Sequence, residues 1–286
     1  MKKLILKSYS ILKDNLLFIQ PILIYILLIM ISSQNLVEKS MGIIPKTTMI
    51  LSVVLFAIAI TTGLLYINKK AISDYNPEDS NVEIAKKSIK NFKTFFAGIG
   101  EYFSKIISGT ILYVGIYMLI FYLISIYLSH TIGIPPIKTI IEEFNKIENI
   151  EQINAYANSF NRQELIVINI WSLVFIIASL VFKFLGILYG SILISEKDNI
   201  FFCFFKMIIF FLKNLFPSIF IIVFMMFLYL TINLLTMVIG MNSIVFALFF
   251  IFIALYLNYY IILVLNFYNE RTKTNSNNRT ECIGQE

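Results

Sequence analysis

The chain has 286 residues, of which 58% are hydrophobic and only 14% are charged, and its formal net charge is +6. A soluble domain carries about 45–50% apolar and about 25% charged residues, so this composition argues against an ordinary soluble globular domain. The apolar residues fall in blocks of roughly 20, the length of helix that crosses a hydrocarbon core about 30 Å thick. We therefore expect an all-α integral membrane protein with six transmembrane helices in one polytopic domain, 1–268.

Short connections separate most of the predicted spans. The spans cover 16–32, 48–67, 105–128, 165–189, 218–239 and 243–267. Between the third and fourth lies a longer segment, 129–164, in which Glu142 and Glu143 stand opposite an apolar stripe, and we expect it to form an acidic cap on the outer face. The last residues, 269–286, are polar and lack apolar periodicity, which predicts a disordered tail.

The first two spans contain polar and small residues that need an explanation. Pro21 follows Gln20 near the start of span 16–32, and a proline inside a helix removes a backbone hydrogen bond that lipid cannot replace. We interpret this pair as a kink where a surface helix turns into the span, with a substrate-binding Gln20 as the alternative. In span 48–67, the run Thr61-Thr62-Gly63 favours close helix packing over an ion path.

The segment 80–96 predicts a basic helix that lies on the membrane surface. It begins with a capping box between Ser80 and Glu83. Apolar residues then recur every three or four positions on one face, and lysines occupy the rest of the helix. The apolar face holds Val82, Ala85, Ile89, Phe92 and Phe96, and the lysines are Lys86, Lys87, Lys90 and Lys93. We expect the apolar face to enter the acyl boundary and the lysines to meet headgroups, each for on the order of 1 kcal/mol near an anionic surface.

One alternative to a membrane-surface helix remains for this segment. A solvated helix packed on a partner domain would show the same pattern, but the chain contains no such domain.

The glycines of Gly98-Ile99-Gly100 predict that the helix breaks before span 105–128.

A short phrase recurs before three of the spans. Lys90-Asn91-Phe92 resembles Lys13-Asp14-Asn15 near the start and Lys213-Asn214-Leu215 late in the chain. Each copy ends an apolar segment that bears lysines. The recurrence predicts three pseudo-repeats, each an amphipathic inner-surface helix followed by a span and a return span.

The later spans carry isolated polar residues. Lys183 is an intramembrane charge, which suggests a functional site by default, although its ammonium group can also snorkel to the headgroups. Asn233 and Asn258 are expected to form hydrogen bonds between helices, for roughly 1 kcal/mol each. His130, Cys203 and Cys282 have no neighbours in a metal-binding spacing, so we assign them incidental roles.

Catalytic motifs are absent from the sequence. It contains no phosphate-binding loop, no nucleophile elbow, no zinc-protease motif and no pair of acidic residues within a span. We therefore predict a protein that is not an enzyme, without a cofactor, a metal site or nucleic acid as a partner.

The distribution of basic residues predicts the orientation. Eighteen Lys and Arg residues fall on the side of both termini and five fall on the other side. By the positive-inside rule, both termini and all three surface helices are expected in the cytoplasm.

The six spans and the Lys-Asn phrases resemble a loose group of bacterial membrane proteins that includes the membrane domain attached to some glycerophosphoryl diester phosphodiesterases. The resemblance covers nearly the whole chain, but its motifs are short. It implies a multi-pass protein of the bacterial cytoplasmic membrane. The chain has no room for the phosphodiesterase catalytic domain, so that activity is not implied.

Three functions follow as hypotheses. The leading one is a non-enzymatic membrane module that engages anionic lipid or a membrane partner and organises or moves lipid or another amphiphile. The alternative is the permease subunit of an exporter driven by a separate ATPase, with the surface helices docking that ATPase. A membrane-embedded enzyme is the least favoured, because the spans lack clustered His, Asp, Glu or Cys.

Overall fold

The fold is given by a computed structural model, which describes residues 1–37, 42–135, 160–239 and 243–283. These residues form helices and short connections, and no strand occurs among them. The predicted all-α class is confirmed for the described part of the chain. The helices are α1 Lys2–Asp14, α2 Gln20–Val37, α3 Ile43–Asp74, α4 Asn81–Lys93, α5 Phe95–Thr131, α6 Arg162–Ser195, α7 Ile200–Lys213, α8 Leu215–Ile239 and α9 Ser243–Ile283, and a 3-10 helix covers Leu16–Ile19.

Six helical segments are long and apolar enough to cross a membrane, which confirms a multi-pass membrane protein. They are Leu16–Gln34, Ile43–Asp74, Phe95–Thr131, Arg162–Ser195, Leu215–Leu235 and Ala247–Lys273, with mean hydropathies between 2.2 and 2.7. Several are longer than the predicted spans. At 1.5 Å per residue, the 37 residues of α5 extend about 55 Å, well beyond a core of about 30 Å. Helix α5 therefore continues beyond the length that crosses the hydrocarbon core.

The predicted helix break at Gly98-Ile99-Gly100 is wrong, because α5 runs without interruption from Phe95 to Thr131. Gly98 serves a close helix contact instead. A Cβ atom at this position would lie 2.5 Å from Cγ of Tyr66 on α3. Gly63 of α3 in turn faces the ring of Phe95 on α5. The packing interpretation of Thr61-Thr62-Gly63 is thus confirmed.

Each of the three shorter helices ends at a break directly before a span. The breaks fall at Asn15, Thr94 and Asn214. The side-chain amides of Asn15 and Asn214 donate to the carbonyls of Ile11 and Phe210, both at 2.9 Å. Because Asn91 lies inside α4, one turn before its break, the three Lys-Asn phrases are not structurally equivalent.

The prolines near these breaks cost no helical hydrogen bond. Pro21 lies in the first turn of α2 and Pro217 in the first turn of α8, where backbone amides have no partner within the helix. The bend that Gln20-Pro21 predicts falls just before this pair, at the 3-10 helix Leu16–Ile19.

The ends of two predicted loop regions are helical. In the tail 269–286, which is predicted to be disordered, α9 continues as far as Ile283. Glu270 binds Lys7 at 3.1 Å and the Thr272 hydroxyl donates to the Tyr268 carbonyl at 2.9 Å, and both contacts support the extension. The predicted acidic cap, 129–164, lies mostly outside the described residues, including Glu142 and Glu143.

The chain divides into two compact units, Met1–Ile111 with Phe184–Glu286, and Leu112–Lys183. The first unit is built around α9, in which Ile262, Leu263, Val264 and Leu265 are completely buried. The second unit joins parts of α5 and α6 through aromatic contacts. Its closest pairs are Tyr117 with Phe182 at 4.3 Å and Phe121 with Phe175 at 4.9 Å between ring centroids. These are packing contacts between the two helices.

Candidate functional site

Helix α4 begins with the predicted capping box. The Ser80 hydroxyl accepts a hydrogen bond from the backbone N–H of Glu83 at 3.4 Å, and the Glu83 carboxylate accepts one from the backbone N–H of Ser80 at 3.0 Å. The backbone N–H and the hydroxyl of Ser80 both donate to the Glu83 carboxylate, which stabilises its charged form and lowers the pKa of Glu83. The capping box fixes where the helix starts, and therefore which residues face the protein.

The predicted apolar face of α4 is largely uncovered by protein. The exposed fraction is 63% for Val82 and 48% for Ile89. The predicted surface helix ends at Lys93, so Phe96 lies in the first turn of α5, where it is 80% exposed. The inward face of α4 instead carries small polar residues, with Ser88 and Asn91 buried. Because these side chains are short, α4 lies close to its neighbours while its large apolar residues point away from them.

Phe92 differs from the other apolar residues of this face. It is half-buried, and its ring stacks on Phe18 at 6.3 Å and on Phe95 at 6.4 Å. Phe18 belongs to the 3-10 helix before α2 and is completely buried. Phe92 therefore anchors α4 to the base of the first span, and Phe96 is the aromatic residue that remains exposed.

The four lysines of α4 fall into two groups. Lys86, Lys90 and Lys93 are exposed, and none of them forms an ion pair with a described residue. Lys87 turns toward the protein, where its Nζ lies 2.5 Å from Oδ2 of Asp79 and 3.2 Å from the Asp74 carbonyl. The hydrogen bond with Asp79 raises the pKa of Lys87. The structure thus brings three of the predicted membrane-surface lysines together and separates the fourth.

A groove lies between α4 and the start of the first span. It has a volume of about 370 Å³ and mostly apolar walls. One wall is formed by Ala85, Ser88 and Ile89 of α4. The opposite wall includes Leu16, Leu17, Ile19, Gln20 and Leu23, and Lys13 and Asp14 lie at its α1 end. The volume is within the range of about 300–1,000 Å³ that is typical of ligand sites.

Gln20 lies at this groove and is exposed. The sequence left two interpretations of this residue, a kink and a ligand contact. Gln20 is the first residue of α2, directly after the 3-10 helix, which agrees with a bend at this point. Because Gln20 also lines the groove, a contact with a ligand stays a prediction.

The other polar residues predicted within the spans lie elsewhere. Asn258 is completely buried on α9 and accepts a hydrogen bond at 2.8 Å from Asn68 on α3, which confirms its interhelical role. Asn233 donates to the Tyr229 carbonyl within α8, also at 2.8 Å. Lys183 is exposed on α6, so snorkelling of its ammonium group stays a prediction.

A second polar cluster, missed by sequence reasoning, surrounds the C-terminal end of α6. Lys69 donates to the Ile194 carbonyl at 2.9 Å, and Lys105 donates to the carbonyls of Leu193 at 2.8 Å and Glu196 at 2.7 Å. Carbonyls at a helix C-terminus lack helical partners and attract cations. In the sequence, Lys69 and Lys105 contribute only to the predicted orientation. In the structure, they connect α3 and α5 to the end of α6.

The same cluster includes an ion-pair network on α7. Lys206 lies 2.7 Å from Asp198 and 3.2 Å from Glu196, and the Tyr268 hydroxyl donates to Glu196 at 2.7 Å. All of these groups have partners, which favours a structural role. Within the described residues, no group of His, Cys, Asp and Glu side chains could hold a metal ion.

Comparison of the chain with protein-family models, with curated proteins and with solved structures finds no significant match. The resemblance to the phosphodiesterase-associated membrane domain therefore stays a prediction.

Proposed function

We propose that this multi-pass membrane protein is a non-enzymatic module that engages anionic lipid through α4, and that it organises or moves lipid or another amphiphile. The observation that carries the proposal is the outward surface of α4. There, Lys86, Lys90 and Lys93 stand beside apolar residues that no described part of the protein covers. Apolar side chains beside unpaired lysines are typical of helices that lie at the boundary between acyl chains and anionic headgroups.

We further propose that α1, α4 and α7 are the surface helices of three pseudo-repeats. Lys87 pairs with Asp79 and Lys206 pairs with Asp198, each across eight residues of sequence. Both acidic residues directly precede an N-cap residue, Ser80 or Asn199. These two ion pairs support an alignment of the repeats that differs from the one given by the Lys-Asn phrases.

In the first repeat, a lysine of α1 pairs with an acidic residue from another helix. Lys7 of α1 precedes the break at Asn15 by eight residues, just as Lys206 precedes Asn214. Its partner is Glu270 of α9, at 3.1 Å. Each of the three surface helices thus has a lysine that pairs with a carboxylate, from α9 in the first repeat and from the preceding loop in the other two, which supports a shared plan.

For the orientation, we propose the bacterial cytoplasmic membrane with both termini in the cytoplasm. The excess of basic residues on the side of the termini supports this placement. The cytoplasmic leaflet carries anionic lipid, which the lysines of α4 would then face.

The test compares the lipids that stay bound to the purified protein. Nanodiscs are formed from equal amounts of anionic and zwitterionic phospholipid, and the lipids that co-purify after mild detergent extraction are counted by mass spectrometry. The wild type should retain mainly anionic lipid. Because each lysine contributes about 1 kcal/mol near an anionic surface, replacing Lys86, Lys90 and Lys93 with Gln should reduce this preference at least tenfold.

A matched control removes the same charge elsewhere. Lys2, Lys3 and Arg271 are exposed and lie outside the groove, so their replacement with Gln should leave most of the preference intact. An unchanged preference in the α4 variant would contradict the proposal. Retention of an ATPase at fixed stoichiometry would instead identify a permease subunit of an exporter.

A further inference from the structure

The groove beside α4 has the form of a site for a single lipid chain. Its α4 wall consists of Ala85, Ser88 and Ile89, which share one face of the helix because they are three and four residues apart. Its other wall follows the first span from Leu16 to Leu23. With a rise of about 2.0 Å per residue in the 3-10 helix and about 1.5 Å in α2, this stretch extends roughly 12 Å along the axis. An acyl chain entering beside Leu16 could therefore follow the span into the hydrocarbon region.

Charge at one end of the groove favours a phosphate group. Lys13 lies at the end where α1 meets the span. On α4, each residue advances the helix by about 100°. Lys86 and Lys93 therefore project beside Ile89, on the outward edge of the groove, and Lys90 lies slightly farther around. The carboxylates of this region are Asp14, Glu83, which is held in the capping box, and Asp79, which is paired with Lys87.

Asp14 does not cancel this positive charge. It is half-buried and supplies one carboxylate, and the capped Glu83 supplies a second. The four exposed lysines, Lys13, Lys86, Lys90 and Lys93, outnumber these two carboxylates. The balance favours an anionic headgroup over a free cation or a zwitterionic lipid, and the apolar walls disfavour a free phosphate ion.

We infer that the groove between α2 and α4 binds one anionic glycerophospholipid, with an acyl chain against Leu17 and Ile89 and its phosphate near Lys13 and Lys86. This inference rests on the proposed function and specifies it further. A surface that only attracts anionic lipid holds a variable number of molecules, whereas the groove holds one at a fixed position. A fixed lipid is what a module that organises or moves lipid requires.

The experiment fills the groove and leaves its charges in place. In Ala85→Phe, an aromatic ring occupies the space between the two walls. In the matched control, Val82→Phe, the same ring is placed one turn earlier on α4, at an exposed position outside the groove. Native mass spectrometry of each protein, released from nanodiscs that contain anionic and zwitterionic phospholipid, counts the lipids that remain bound.

We expect the wild type and Val82→Phe to retain one anionic lipid per protein, and Ala85→Phe to lose at least 80% of that species. The bulk preference for anionic lipid in the nanodisc should not change in Ala85→Phe, because the lysines are intact. If Ala85→Phe keeps the bound lipid, the groove is not the site. The proposed function is tested separately by the lysine variant, so the two failures can be distinguished.

A measurement on the wild type alone avoids any doubt about folding of the variants. An anionic phospholipid with a photoreactive diazirine in its acyl chain is incorporated into the nanodisc and irradiated. Labelled peptides should contain residues from 16–23 or 85–89. Labelling spread evenly over all spans would overturn the inference and indicate only non-specific lipid contact.

Discussion

Nζ of Lys87 lies 2.5 Å from Oδ2 of Asp79, and this ion pair decides which lysines of α4 are available to a ligand. The Asp79 side chain is only 12% exposed, whereas that of Lys87 is 41% exposed. The pair joins the loop after α3 to the first half of α4. It therefore fixes the rotation of α4, which directs Lys86, Lys90 and Lys93 away from the protein.

Lys87→Gln should lower the thermal midpoint of the detergent-solubilised protein by about 2–4 °C. The substitution leaves the nearly buried Asp79 carboxylate without its cation, and an uncompensated buried charge is destabilising. Lys90→Gln removes the same charge one turn later on the exposed face and should not shift the midpoint. Equal midpoints for the two variants would show that the ion pair does not hold α4.

The Asn68–Asn258 hydrogen bond should contribute to the packing of α3 against α9. Replacing Asn258 with Leu leaves the buried Asn68 amide without its partner and should cost about 1–3 kcal/mol. The double variant Asn68→Leu/Asn258→Leu should be closer to the wild type than Asn258→Leu, because both polar groups are then removed. A double-mutant cycle of unfolding free energies measures this coupling. Purely additive effects would mean that the hydrogen bond contributes no coupling energy.

Features that depend on nearby sequence could be predicted. The length and hydropathy of the apolar blocks are sufficient to predict six spans, because the bilayer fixes the required length. The capping box also involves only residues from Ser80 to Glu83, so its pattern is visible in the sequence. These elements needed no knowledge of distant contacts.

Features that depend on distant residues could not be predicted. Gly98 is compatible with either a break or a close contact, and Tyr66, more than thirty residues earlier, decides between them. Likewise, the apolar periodicity of α4 indicates a surface helix but does not show which lysine meets Asp79. The walls of the groove, near Leu17 and Ile89, are about 70 residues apart and meet only in the folded chain.

The Asp14 carboxyl should make stability depend on pH. Burial raises its pKa in the folded protein above the ordinary value of 3.8. The protonated form is thus favoured on folding, so this contribution to stability is complete below about pH 3.8 and is lost as the pH rises through the folded pKa. Asp14→Asn should raise the thermal midpoint at pH 7, and the gain should shrink as the pH falls toward 4.

Glu83 provides a control of opposite sign. Its pKa is lowered in the folded protein, so its contribution is present at neutral pH and is lost as the pH falls through the folded pKa. Glu83→Ala should therefore lower the midpoint at pH 7 and approach the wild type in acid. Parallel pH profiles for the wild type and both variants would contradict the assignment of these two groups.

Two glycines of α5 should respond oppositely to the same substitution. In Gly98→Ala, the new Cβ atom would lie 2.5 Å from the Tyr66 ring, so α3 and α5 must move apart, and overpacking of this kind costs about 1–3 kcal/mol. At Gly100, a Cβ atom would meet no atom within 4 Å. Gly100→Ala should therefore stabilise the protein by up to about 1 kcal/mol, because alanine is the better helix former. Unfolding free energies of both variants in one detergent measure the difference. If the two variants were equally stable, the close approach of α3 and α5 at Gly98 would be wrong.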